Sequence, residues 1–88
     1  MVRLRKKGIF YLLDGDEARR LASGLDLKLI EKKITEPGGG VKIKLSCGFP
    51  QSGLDKYVGK LLRMGEDVEI VENGVVVERI RVAKDGSI

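Results

Sequence analysis

The sequence predicts an α+β domain: a mixed sheet covered by two helices, in the order β-α-β-β-α-β-β. Three observations carry this expectation. Apolar and polar residues alternate strictly over 41–47, two stretches with helical spacing each open on a capping signal, and an Asn73-Gly74 dipeptide sits between apolar runs. Eighty-eight residues make one small domain, spanning 1–88.

The chain opens with Arg3, Arg5, Lys6 and Lys7, so residues 1–7 read as a basic N-terminal arm. Residues 8–13, Gly-Ile-Phe-Tyr-Leu-Leu, are a short apolar and aromatic run suited to a buried strand. Asp14 then stands as an N-cap with Glu17 three residues on, a capping box. Ala18, Leu21, Ala22 and Leu25 follow at helical spacing, and Gly24 is a stop signal. Leu25, Leu27 and Leu29 alternate with Asp26 and Lys28, which predicts a strand extending to about residue 34.

Pro37-Gly38-Gly39-Gly40 predicts a turn. Beyond it, Val41, Ile43, Leu45 and Cys47 alternate with Lys42, Lys44 and Ser46, one face apolar and the other largely cationic. The two strands around the glycines should pair as an antiparallel hairpin with lysines on its solvent side. Cys47-Gly48-Phe49-Pro50 reads as a strand end and a tight turn, and Ser52 with Asp55 as a second capping box. Leu54, Val58, Leu61 and Leu62 mark one helical face, closed by Gly65. Strands over 67–72 and 75–82 flank the Asn73-Gly74 turn, and 84–88 form a polar tail.

Composition removes several functions. Cys47 is the sole cysteine and the chain has no His. An intramolecular disulfide is thereby excluded, a zinc site has almost no ligands, and the usual general base near neutral pH is absent. Asp14, Asp16, Glu17 and Asp55 are accounted for by helix capping. The glycines at 38–40 lack the Lys-Ser/Thr of a phosphate-binding loop. No catalytic, cofactor or metal site is expected, and the protein is read as non-enzymatic. No apolar run approaches the roughly 18 to 20 residues that span a bilayer, and residues 8–13 are too short for a signal-peptide core. A cytoplasmic protein without membrane contact is expected. Charged residues make up 34% of the chain, with a single Asn and a single Gln, a composition resembling that of hyperthermophiles.

The net charge of +4 is unevenly spread. Arg3, Arg5, Lys6 and Lys7 crowd one end, and Lys28, Lys32, Lys33, Lys42 and Lys44 the middle. Segregated basic charge is the footprint of a phosphate-binding face, and Lys32, Lys33, Lys42 and Lys44 would neutralise phosphates from the hairpin. The alternative is a solvated basic surface, with lysines guarding an exposed strand against edge-to-edge association.

The order Gly8-Ile9-Phe10-Tyr11, Asp16-Glu17-Ala18, Cys47-Gly48-Phe49-Pro50, Tyr57, Leu61-Leu62, Gly65 and Val68-Glu69-Ile70 resembles the N-terminal mismatch-recognition domain (domain I) of the MutS DNA repair family. The similarity runs from about residue 7 to residue 87. What it implies is a stand-alone recognition module without the family's ATPase, contacting duplex DNA. The Phe of the family's opening motif enters the minor groove beside a mispair, which makes Phe10 a candidate apolar wedge. The family's Glu two residues later, which accepts a hydrogen bond from the base, is here Leu12, so the resemblance keeps the wedge and loses the acid. An aromatic in an apolar strand is also an ordinary core residue. Three functions stay open: a duplex-DNA-binding module, an RNA or ribonucleoprotein accessory, and a protein-interaction module that kept the fold. Candidate contacts for the first are Phe10, Arg3, Arg5, Lys6, Lys7, Lys32, Lys33, Lys42 and Lys44.

Overall fold

Alternation over the first seven residues builds a strand. Val2 and Leu4 point one way and are wholly buried, while Arg3, Arg5 and Lys7 point the other, and the segment forms β1 (Val2–Lys7). The computed structural model describes residues 1–82. Along them follow β2 (Phe10–Asp14), α1 (Gly15–Leu21), β3 (Ile30–Thr35), β4 (Val41–Pro50), a 3₁₀ turn at Gln51–Gly53, α2 (Leu54–Arg63), β5 (Val68–Glu72) and β6 (Val75–Ile80). The mixed sheet with two helices is as expected, with one strand more. The supposed arm is that strand, and it lies inside the sheet. The expected polar tail at 84–88 lies outside the described residues.

The six strands stand in the order β3-β4-β2-β1-β5-β6. All neighbours are antiparallel except β1 and β5, which run parallel with Val2 beside Val68 and Arg5 beside Val71. Both helices are crossovers. α1 links β2 to the like-directed β3 across β4, and α2 links β4 to the like-directed β5 across β2 and β1. The two connections move in opposite lateral directions from oppositely running strands. Right-handed crossovers of that kind place both helices on one face, and among the described residues the other face is left without a helix.

The covered face holds the core: Val2, Leu4, Tyr11, Leu13, Cys47, Phe49, Val68 and Ile70 from the strands meet Ala18 and Leu21 of α1 and Val58 and Leu61 of α2. Phe49 stacks between Tyr57 at 4.4 Å and Tyr11 at 5.9 Å between ring centroids. Tyr57 is thus a packing residue.

Several local expectations differ. Cys47-Gly48-Phe49-Pro50 is strand, not turn: Cys47 pairs with Leu13 and Phe10 with Pro50. Asp14 holds the extended N-cap geometry of α1 but makes no cap hydrogen bond, because its carboxylate accepts from Arg5. The 3₁₀ turn takes up Ser52, so α2 has no side-chain cap either. Residues 25–29 do not extend β3. Leu25 donates its N–H to the carbonyls of Leu21 and of the C-cap residue Ala22, Leu27 donates to Ala22 as well, and Leu25 is buried with the core. Their alternation serves packing at a helix end.

The β3–β4 hairpin overhangs the rest. β4 is shared, pairing β3 through Val41–Ser46 and β2 through Ser46–Pro50. All of β3 and residues 41–44 of β4 are consequently exposed on both faces. The molecule measures 51 × 26 × 22 Å as a result. The apolar face expected for this hairpin is buried only from Leu45 onward. At the other edge, Asn73 and Gly74 both take positive φ (52° and 75°), making the two-residue turn the dipeptide predicts.

Candidate nucleic-acid interface

Residues paired across a ladder project from the same face. Following the register, Lys7 stands opposite Phe10 and Arg5 opposite Leu12; Leu12 stands opposite Gly48 and Asp14 opposite Ser46; and Ile30 faces Ser46, Lys32 faces Lys44 and Ile34 faces Lys42. Every one of these lies on the helix-free face. Arg3 joins them through Glu69, which in turn faces Arg79. Arg3, Arg5, Lys7, Phe10, Lys32, Lys42 and Lys44 therefore share one surface. Lys6, paired with Tyr11, and Lys33, paired with Ile43, project from the opposite face. Lys6 binds Glu72 at 3.1 Å, and that carboxylate raises its pKa.

Phe10 owes its position to a two-residue turn. Gly8 takes φ of 61°, which the turn requires at its first central residue, and reverses the chain so that Phe10 follows directly on Ile9. Ile9 is 60% exposed and Phe10 46%, so the ring belongs to the surface and not to the core. The backbone N–H of Gln51 donates to the Ile9 carbonyl at 2.7 Å and anchors the turn to the start of the 3₁₀ segment.

Leu12 comes next along the same strand face, roughly 7 Å further on at about 3.4 Å per residue. It lies across Gly48, where an added Cβ would sit 2.5 Å from Leu12 Cδ2 and 2.9 Å from the Tyr11 carbonyl oxygen. Beside it opens a shallow depression of about 240 Å³, floored by Leu12, Ile30 and Ile34 and rimmed by Lys7, Lys32 and Lys44, with the Arg5–Asp14 pair also in its wall. It forms at the stagger where β4 changes partners.

The cations of this face fall into two classes. Arg3 and Arg79 both pair with Glu69, at 3.1 and 3.3 Å, and Glu69 is the one buried charged residue among the described residues. Arg5 places Nε 3.1 Å and Nη2 3.3 Å from the two oxygens of Asp14. Lys42 lies 3.6 Å from Glu36. Lys7, Lys32 and Lys44 make no ion pair among the described residues. The positive charge available to an outside ligand therefore concentrates around the depression.

Other chemistry is sparse. Cys47 is buried, and desolvation first, then nearby Asp14, pushes its thiol above the ordinary value. Among the described residues no group of three or more His, Cys, Asp or Glu is placed to hold a metal ion, and no helix is long and apolar enough to cross a membrane. Reasoning from sequence did not find Arg79 or the aliphatic floor of Ile30 and Ile34. The alternation of Ile30, Lys32 and Ile34 held the signal for the floor. A family model described as MutS domain I matches residues 1–82.

Proposed function

This chain belongs to the MutS domain I family, a DNA-recognition domain and not a catalytic one, and from that premise we propose that it is a non-enzymatic module binding duplex DNA on its helix-free face. The observation that supports the reading is the convergence on that face of an exposed Phe10 with Arg3, Arg5, Lys7, Lys32, Lys42 and Lys44. Phosphates engage Lys7, Lys32 and Lys44 first, since these lack acid partners among the described residues, and the overhanging hairpin carries Lys42 further along the backbone. Phe10 acts as a wedge, unstacking a base step and kinking the duplex away from its minor groove. Steps that kink easily are bound best, because the wedge reads deformability and not base edges. Lys6 and Lys33 project from the opposite face and contribute only through the general field. No cofactor is required.

Fluorescence anisotropy with matched duplex, bulged duplex, single strand and structured RNA at two salt concentrations tests this reading. Duplex should bind with a steep salt dependence. Phe10→Ala should weaken binding by roughly 5- to 150-fold, the 1–3 kcal/mol of a lost base–aromatic stack. Tighter binding of structured RNA than of any duplex would shift the reading to an RNA accessory. No affinity for any of these ligands at low salt would overturn it, and the loss of the acceptor at Leu12 would then mark a protein-interaction module.

A further inference from the structure

We infer that Arg5 sets the sequence preference of this face, and that the preference is for A·T-rich duplex beside the wedge point and not for a mispair. The inference rests on the duplex-binding reading above.

Phe10, Leu12 and Asp14 project in succession from one strand face, and Arg5 on the neighbouring strand stands directly opposite Leu12. Leu12 offers no hydrogen bond to whatever lies beyond Phe10. On the neighbouring strand, one spacing of about 5 Å away, Lys7 stands opposite Phe10 and Arg5 opposite Leu12, and of the two only Arg5 is held in a fixed orientation by an ion pair. Its Nε and Nη2 are forked onto Asp14 at 3.1 and 3.3 Å, which fixes the plane of the group, and its side chain remains 41% exposed. Nη1 has no partner among the described residues. The result is a preoriented donor where an acceptor would be needed to read an extruded base.

Wedge residues enter from the minor groove, so the groove edge of the adjoining base pairs is what Arg5 meets. A·T and T·A pairs present only acceptors there, whereas G·C pairs interpose the guanine amino donor. A-tracts also narrow the groove and deepen its negative potential, which draws arginine in. Because Asp14 already neutralises much of the Arg5 charge, Arg5 adds little to a generic phosphate grip. Its contribution is orientation and selectivity, while Lys7, Lys32 and Lys44 supply attraction.

The test is competition binding among duplexes of equal length with A·T-rich or G·C-rich centres, each matched or carrying one G·T mispair. Wild-type protein should prefer the matched A·T-rich duplex over the G·C-rich one by about 10-fold, the lower range of one good groove contact. Arg5→Lys, which keeps the charge and loses the fork, should bring that ratio below about 3-fold by weakening binding to the A·T-rich duplex, while the slope of log affinity against log salt stays that of wild type. Leu12→Glu retains Arg5 but supplies a carboxylate directly opposite it, and should lower the A·T preference in the same way. This second variant keeps the test open if Arg5→Lys fails to fold. Equal A·T-to-G·C ratios in wild type and both variants, or a mispair preferred 10-fold over the matched A·T-rich duplex, would overturn the inference and leave duplex binding standing. Absence of any duplex binding at low salt would overturn both.

Discussion

Gly48→Ala is a substitution whose sign separates packing from propensity. Glycine in a strand costs about 0.5–1 kcal/mol relative to alanine in backbone entropy, so propensity alone predicts a gain. At Gly48 the new Cβ meets Leu12 Cδ2 at 2.5 Å and the Tyr11 carbonyl oxygen at 2.9 Å, and a Cβ is not tolerated under 3.0 Å without movement. Leu12 can swing away, but the carbonyl belongs to the ladder partner strand and cannot. Overpacking of this sort costs about 1–3 kcal/mol, and set against the entropy gain a net loss of about 1–2 kcal/mol is expected. For a domain of this length that corresponds to roughly 4–15 °C in Tm. Urea titration followed by far-ultraviolet circular dichroism measures it, with an unchanged m-value as the check that only stability moved. In a Leu12→Ala background the loss should shrink by about 0.5–1.5 kcal/mol without vanishing, since the carbonyl contact stays. A Gly48→Ala protein as stable as wild type would refute the close approach. An identical loss in both backgrounds would show that Leu12 is not what the glycine accommodates.

Three further outcomes are expected. Lys32→Ala and Lys44→Ala should each lower the slope of log affinity against log salt by about 0.9, and Lys33→Ala by clearly less, as binding across a salt series would show. Glu69→Gln should cost about 1–3 kcal/mol, because it leaves Arg3 and Arg79 without their shared carboxylate; equal denaturation midpoints for variant and wild type would contradict this. Cys47 has its pKa raised in the folded state, so its contribution to stability is complete below the ordinary thiol value and is lost as pH rises through the raised one. Native protein should accordingly resist thiol alkylation at mildly alkaline pH and react on unfolding; labelling at the rate of a free thiol would contradict the burial.

Local signals were legible where the chemistry is local. Asn73-Gly74 predicted its turn because only a few residue types accept two positive φ values in succession. The alternation of Val41, Ile43 and Leu45 predicted its strand, though not that Val41 and Ile43 would stand exposed on an overhang, which depends on where β2 stops pairing with β4. β1 was misread because a central strand with one face in the core and one open to solvent is only half apolar. Val2 and Leu4 between cations look like a tail until β5, far along the chain, is known to lie beside them. Gly48 and Pro50 read as turn residues, yet one makes room for Leu12 and the other closes a strand. The candidate site shows the same division. Periodicity puts Phe10 and Leu12 on one side of a strand, but only the strand order brings Arg5, Lys7, Lys32 and Lys44 to that side with them.

The parallel pairing of β1 with β5 also bears on how the chain reaches its folded state. Arg3 and Glu69 meet across 66 positions of sequence, and closing a loop that long costs about 3.7 kcal/mol in length-dependent chain entropy. The β1–β2, β3–β4 and β5–β6 hairpins are all local and form early. Until β5 docks, β1 has a bare edge. During synthesis the bare edge persists at least until β5 has emerged. Arg3, Arg5 and Lys7 make that edge a poor template for association with other chains. Three cations of the face proposed to meet DNA in the finished protein thus protect the unfinished one.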